Sequence, residues 1–98
     1  MKPYISIFLT YHKKEKGEFM PCAICGAASV NIHHISGRPM GNKSKRYDVP
    51  ENLIPLCMED HNDCHSEIIT KQKCKFALYE WAEKYGTPID FNKIMNFK

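Results

Sequence analysis

Four of the five cysteines and four of the five histidines of the sequence fall between residues 22 and 65. Cysteine thiolate and histidine imidazole are common protein ligands of zinc and related transition metals. Along the chain they form a Cys-x2-Cys pair, a His-His pair, a single cysteine and a His-x3-His pair that encloses one more cysteine. These types and spacings predict metal binding. The residues concerned are Cys22, Cys25, His33, His34, Cys57, His61, Cys64 and His65.

The Cys-x2-Cys pair, Cys22 and Cys25, is followed by Gly26 and therefore places two sulfurs on one turn. Such a knuckle supplies half of a tetrahedral zinc site. Thioredoxin-type redox chemistry uses the same motif, but there the motif opens a helix within a βαβ unit, whereas residues 29–35 have a strand pattern. The pattern thus favours zinc, and Cys57, at the end of a second apolar strand, can return to the knuckle with a third sulfur.

The positions of the histidines indicate separate purposes. Consecutive strand residues point to opposite faces, so we expect His33 and His34 to play different parts. His61 and His65 are four residues apart in a helical pattern, which places them on one helix face. The isolated His12 is expected to be solvated.

Short strands are predicted to carry part of this set. β-branched and aromatic residues predict a strand over residues 4–11, with a short helix as the alternative, and further strands over 29–35 and 52–57. Between the last two lies a loop, residues 37–51, rich in Gly, Pro, Asn and Ser and carrying four cations.

Helices are predicted after the second of these two strands. The pattern becomes helical from about residue 58 to residue 70, and three- and four-residue spacing of apolar side chains predicts a second helix over 72–85. Cys74 and Trp81 belong to its apolar stripe and are expected to lie in the core, and Gly86 marks its end.

Length and charge set limits on the kind of protein. The chain of 98 residues is enough for one domain, and domains of this size often depend on a metal or on disulfides. A net charge of +3 permits a polyanionic partner without requiring one. The first residues do not form a signal-peptide pattern and no apolar stretch approaches membrane-spanning length, so we expect a cytoplasmic protein with reduced cysteines and no membrane partner.

One segment, together with the knuckle before it, resembles the HNH endonucleases, or ββα-metal nucleases: IHHISGRPMGNKSKRYDVPENLIPLCMEDHNDCH. In style it is similar to the compact HNH proteins common in bacteriophages and prophages. The resemblance covers residues 22–67 and implies a small ββα-metal core there. With the strand and the helix predicted on either side, we expect an α+β fold, stabilised by zinc. In this single domain of residues 1–98, residues 1–20 are an N-terminal extension with the strand and residues 70–98 a helical extension.

The resemblance also implies roles for individual residues. His34 matches the general base, and His33 and His61 match ligands of the catalytic divalent ion. His65 matches a further ligand found in His-rich members such as the colicin nucleases, and Asn52 matches the residue that fixes the loop and helps to orient the base. The implied activity is hydrolysis of DNA to 5′-phosphate and 3′-hydroxyl ends, with Mg, Mn, Ni or Zn as the working ion.

The sequence departs from the family at residue 60. Many members have the last cysteine of a second Cys-x2-Cys there, completing an all-cysteine zinc site, whereas this chain has Asp60. Three alternatives follow: Asp60 is the fourth ligand, Cys64 replaces it from one helical turn further on, or the cysteines form no zinc site.

The basic loop leaves a second choice open. Its cations could simply be solvated, or they could contact DNA phosphates, and they are Arg38, Lys43, Lys45 and Arg46. The whole protein could likewise be a zinc-stabilised nucleic-acid-binding or assembly module that does not cut. The presence of His34, Asn52 and His61 together favours the nuclease.

Overall fold

The protein has a small α+β fold with a two-stranded sheet and four α-helices among the residues described. The computed structural model describes residues 2–37 and 42–97, and for residues 42–44 it describes the backbone alone. In chain order the elements are α1 (Pro3–Tyr11), β1 (Asn31–His34), two 3-10 helices (Asn42–Tyr47 and Pro50–Asn52), β2 (Leu53–Leu56), α2 (Met58–His65), α3 (Lys71–Tyr85) and α4 (Phe91–Asn96).

The N-terminal segment is a helix, so the prediction of a strand over residues 4–11 is wrong. Pro3 occupies the first turn of α1, where its missing N–H removes no helical hydrogen bond. Phe8 and Leu9 are buried, and Ile5 packs beside them, which is a three- and four-residue spacing rather than an alternating one. Packing on one side of the chain thus overrode the β-propensity of its residue types.

The two strands predicted on either side of the basic loop are confirmed, with shorter bounds. They pair antiparallel, and His33 lies opposite Ile54 while His34 lies opposite Leu53. All four residues of β2 are buried, so the strand lies inside the protein and fixes the position of β1. The backbone N–H of Ala23 donates to the carbonyl of Pro55, which brings the cysteine knuckle alongside β2.

Of the helices after β2, α2 and α3 were predicted and α4 was not. α2 begins after Cys57 and ends at His65, earlier than predicted, because the chain turns there and Glu67 adopts a left-handed conformation with φ of 63°. The long helix α3 is confirmed within one residue, and its buried stripe includes Cys74 and Trp81, as predicted. None of the helices in the described ranges is long and apolar enough to cross a membrane.

His12 is part of the core, so the prediction that it is solvated is wrong. Only 3% of the residue is exposed, and its ring packs against the rings of Phe8 and Trp81. Its Nδ1 accepts a hydrogen bond of 2.9 Å from the backbone N–H of Thr87. Burial, with a smaller contribution from Lys14, lowers the pKa of His12 to about 4, so the imidazole is neutral at pH 7.

Candidate metal centres

The cysteine knuckle follows from local backbone geometry. The N–H of Gly26 donates to the carbonyl of Cys22, and Gly26 itself has φ of 83°, which favours glycine because it has no Cβ. The third thiol, Cys57, is the N-cap of α2, and its sulfur accepts a hydrogen bond from the backbone N–H of Asp60. Asp60 therefore lies in the first helical turn, beside the knuckle.

Four potential ligand atoms meet at this point. They belong to Cys22, Cys25, Cys57 and Asp60, and all lie within 4.8 Å of one another. The thiols of Cys22 and Cys57 donate to the same Asp60 oxygen, Oδ2, at 3.2 and 3.3 Å, and the sulfurs of Cys25 and Cys57 are 3.7 Å apart. Ligand atoms around a tetrahedral zinc with bonds of about 2.3 Å are spaced by roughly 3.8 Å. These residues could therefore hold one metal ion, and their types suit zinc.

The close contacts between thiols and a carboxylate shift the pKa values of Asp60 and Cys25. Burial would raise the pKa of Asp60, but hydrogen bonds from the surrounding thiols outweigh burial, and the pKa is lowered. A hydrogen bond with the Ala27 backbone acts to lower the pKa of Cys25, yet the contact with Asp60 and burial raise it to about 12. The Cys25 thiol therefore keeps its proton in the metal-free protein, and binding of a metal would release it.

Cys64, the cysteine within α2, lies outside the cysteine cluster. The sulfur of Cys64 is 3.2 Å from the sulfur of Cys74 on α3, and burial raises the pKa of both thiols, that of Cys74 to about 12. Of the two residues considered for the fourth position, Asp60 lies in the cysteine cluster and Cys64 pairs with Cys74. The reason is helical: Cys64 is four residues beyond Asp60, about 6 Å further along the axis of α2.

Three histidines form a second group, contributed by β1 and α2. The ligand nitrogens of His33, His61 and His65 all lie within 4.8 Å of one another. The Nε2 atoms of His61 and His65 are 3.1 Å apart, and the ring of His33 lies 5.1 Å from each of the other two ring centroids. Three imidazoles at this distance could hold one transition-metal ion.

The environment of the histidine cluster favours uncharged imidazole. Burial, followed by the neighbouring histidines, lowers the pKa of His33 to about 4. Burial and then His65 lower the pKa of His61 as well. Because neutral imidazole is the form that binds metals, the cluster is prepared for an ion at neutral pH without first losing protons at these two positions.

His34 is not a member of the histidine cluster. Its Nε2 lies 2.8 Å from Oδ1 of Asp48, and the ring of Tyr4 packs edge-on against the imidazole with centroids 4.5 Å apart. Sequence reasoning missed both contacts. Asp48 is an acidic residue within the basic loop, but nothing in the sequence indicates that it folds back to β1.

Asn52 connects the segments on either side of this contact. Its Oδ1 accepts from the backbone N–H of Ser36 at 2.8 Å, and its Nδ2 donates to the carbonyls of Ser36 and Tyr47 at 3.2 and 3.0 Å. These bonds fix the loop, whereas the side chain that contacts His34 is Asp48, the residue after Tyr47. Asn52 is 1% exposed, so the bonds are shielded from water.

Both sets of histidines line one open cavity of about 710 Å³. His33, His34, His61 and His65 are all on its wall, with Tyr4 from α1 at the same wall. A molecule in this cavity could therefore contact a metal ion at the histidine cluster and the imidazole of His34 together.

No protein-family model, curated protein or solved structure matches this chain. The functional interpretation therefore depends on the chemistry of the chain's own residues.

The basic loop is described in part. Lys45 and Arg46, at the end of the first 3-10 helix, are exposed, and the Arg46 guanidinium lies 4.9 Å from the centroid of the Tyr47 ring. Arg38 lies outside the described residues, and of Lys43 the backbone alone is described.

Proposed function

We propose that this protein is a metal-dependent DNA endonuclease of the HNH type, which hydrolyses phosphodiester bonds to give 5′-phosphate and 3′-hydroxyl ends. One observation carries the proposal: the three-histidine cluster and His34, a separate histidine contacting Asp48, line the same open cavity. A metal site and a nearby base are the two parts that such a hydrolysis needs.

The order of the elements supports this assignment. β1 supplies His33 and His34, β2 pairs with β1, and α2 supplies His61 and His65 immediately after β2. Two antiparallel strands followed by a helix that returns ligands to the first strand is the arrangement expected of a ββα-metal core. The proposed core is thus β1, β2 and α2.

The histidine cluster fits a catalytic ion. Catalytic metal sites commonly have three protein ligands and leave a further position open, and here three imidazoles face an open cavity. A divalent ion bound by His33, His61 and His65 would contact the scissile phosphate and offset the negative charge of the transition state. Mn, Ni and Zn suit imidazole ligands, and Mg stays a candidate from the family resemblance.

The chain's own residues would carry the remaining chemistry. His34 would accept the proton of the attacking water, which is a role that neutral imidazole fills near pH 7. Lys45 and Arg46 would contact phosphates of the DNA, which gives affinity without sequence preference. Asn52 would keep the loop that carries them in register with β1.

The cysteine cluster has a structural part in this proposal. A zinc ion held by Cys22, Cys25, Cys57 and Asp60 would join the knuckle to the start of α2. Because α2 carries His61 and His65, this zinc would hold two ligands of the proposed catalytic ion in place. Structural zinc sites contribute directly to folding free energy. We place this activity in the cytoplasm of a bacterial cell or of an infected host cell.

A plasmid-cutting assay tests the proposal. Purified protein is incubated with supercoiled DNA and with Mg, Mn, Ni or Zn in turn, and the ends of the products are mapped. We expect cutting with 5′-phosphate ends in at least one metal and its loss in His34→Ala purified in the same way. If no metal supports cutting, or if His34→Ala cuts as fast as the wild type, the protein is better described as a zinc-stabilised nucleic-acid-binding or assembly module that does not cut.

Thermal unfolding and metal content of His34→Ala serve as the control for its fold. The metal content is expected to match that of the wild type, because His34 lies outside the two clusters that could hold metal. The melting temperature is expected to fall, because the hydrogen bond to the buried Asp48 is lost. A loss of activity in a variant that is folded at the assay temperature and keeps its metal would then belong to the imidazole.

A further inference from the structure

The contact between His34 and Asp48 is short and shielded. The side chains are 12% and 6% exposed, and the Nε2 to Oδ1 distance is 2.8 Å. A carboxylate only accepts hydrogen bonds, so the proton in this bond belongs to the imidazole nitrogen. Hydrogen bonds to an ionised acceptor are roughly twice as strong as neutral ones, and this bond therefore constrains the ring strongly.

The bond also determines which ring nitrogen has a free lone pair. Neutral imidazole carries one N–H, and in His34 that N–H is on Nε2, facing Asp48. Nδ1 is then the nitrogen that can accept a proton. An aspartate that holds the tautomer and orientation of a histidine base is a known device of hydrolases, where removing its charge lowers kcat strongly.

The backbone around Asp48 is itself held in place. The preceding carbonyl, that of Tyr47, accepts from Asn52, and the N–H of Asp48 donates to the carbonyl of Lys45 at 3.1 Å. Asn52 also binds Ser36, two residues after His34. The carboxylate and the imidazole are thus fixed relative to each other through a buried amide.

We propose that Asp48 is a positioning residue, whose carboxylate holds His34 with its proton on Nε2 and thereby makes Nδ1 the atom that accepts the proton of the attacking water. This inference rests on the proposed nuclease function. It assigns a role to a residue that takes no part in either metal cluster. It also gives Asn52, which bonds to Ser36 and Tyr47, a route by which it would act on the base through the loop.

Two variants of Asp48 separate its charge from its shape. Asp48→Asn keeps the size of the side chain and an acceptor oxygen, whereas Asp48→Ala removes both. We expect Asp48→Ala to lower kcat by about 100-fold, in the range typical of general base catalysis, with KM for an oligonucleotide duplex changed less than about twofold. Asp48→Asn is expected to fall between Asp48→Ala and the wild type.

A double variant tests whether Asp48 acts through His34. If it does, His34→Ala with Asp48→Ala cuts no more slowly than His34→Ala alone, because the group that Asp48 positions is already gone. Losses that multiply in the double variant would overturn the inference and indicate a general structural role. Melting temperature and metal content are measured for every variant, and Asp48→Asn serves if Asp48→Ala does not fold.

Proton NMR of the protein as purified, with no divalent ion added, tests the hydrogen bond by a measurement that does not depend on activity. The Nε2–H of His34, identified by its loss in His34→Ala, is expected far downfield and in slow exchange with water. It should move upfield in Asp48→Asn and disappear in Asp48→Ala. If the spectrum of Asp48→Ala still shows the Nε2–H resonance of His34 at its wild-type position, the inference is contradicted.

The outcomes distinguish the two proposals. A wild type that cuts DNA while Asp48→Ala retains the wild-type kcat leaves the nuclease assignment standing and overturns the role of Asp48. A wild type that fails to cut DNA with each of the metals tested overturns the nuclease assignment and, with it, the catalytic part of this inference. The NMR result would still report on the hydrogen bond.

Discussion

The carboxylate of Asp60 accepts a hydrogen bond of 3.2 Å from the thiol of Cys22, across 38 residues of chain. The knuckle and the first turn of α2 are joined at this contact. A zinc ion bound there would be held by the three thiolates and the Asp60 carboxylate, and its binding would displace thiol protons.

Zinc content is the first prediction. Asp60→Ala removes one of the four ligands, so we expect the variant to lose zinc during dialysis against a chelator that leaves zinc in the wild type. Cys64→Ser is the matched control, since the sulfur of Cys64 contacts Cys74 instead. Metal analysis of both proteins provides the measurement, and loss of zinc from Cys64→Ser with retention in Asp60→Ala would reverse the assignment.

The buried histidine of the core predicts how stability depends on pH. The pKa of His12 is lowered from its usual value near 6.5 to about 4 in the folded protein. Between pH 6.5 and 4, His12 binds a proton in the unfolded chain but stays neutral in the folded protein. The free energy of unfolding therefore decreases as the pH falls through this range. Full loss of this contribution amounts to about 3 kcal/mol.

His12→Asn isolates that contribution, because the amide oxygen can still accept the hydrogen bond from the Thr87 N–H but does not titrate in this range. We expect the free energy of unfolding of the wild type to fall more steeply than that of His12→Asn between pH 6.5 and 4. Chemical denaturation at a series of pH values measures it. Parallel curves for the two proteins would show that His12 titrates normally.

Gly86 predicts a steric cost at the end of α3. A Cβ added there would collide with the ring of His12 and lie 2.7 Å from the ring of Trp81. Neither ring can move away, since both are buried, so we expect Gly86→Ala to destabilise the fold by about 1 to 3 kcal/mol. Gly37→Ala is the control, because a Cβ at Gly37 meets no atom of the described residues within 4 Å. Urea denaturation should show a change below about 0.5 kcal/mol for the control. Equal effects of the two substitutions would refute the clash.

The exposed cations predict the salt dependence of DNA binding. If Lys45 and Arg46 contact phosphates, replacing either by alanine should weaken binding equally on unrelated sequences and reduce the slope of log K against log salt by about 1. Lys84→Ala is a suitable control, since Lys84 lies at the opposite end of α3 from the cavity-lining Lys71. Fluorescence anisotropy with the metal omitted gives the slopes. Unchanged slopes in both variants would assign these residues to a solvated loop.

Much of the site follows from local spacing. The two cysteines of the knuckle share a turn, His61 and His65 share a helix face, and His33 and His34 are divided by the alternation of a strand. Each of these relationships depends on backbone geometry over a few residues, which is the range in which a sequence pattern carries most information. The existence and approximate positions of β1, β2 and α3 were predictable for the same reason, although both strands are shorter than predicted.

The other features of the fold and of the site depended on packing between segments that are distant in the sequence. Whether residues 4–11 form a strand or a helix, and whether His12 is buried, depended on the surface offered by α3, some 70 residues away. The contact of Asp60 with the knuckle depended on how the start of α2 packs beside Cys22, and the contact of Asp48 with His34 depended on how the basic loop returns to β1. Residue types and spacing specified the chemistry available to this chain. The long-range contacts, whose free energy comes from burying surface that no local pattern records, determined which of those side chains meet.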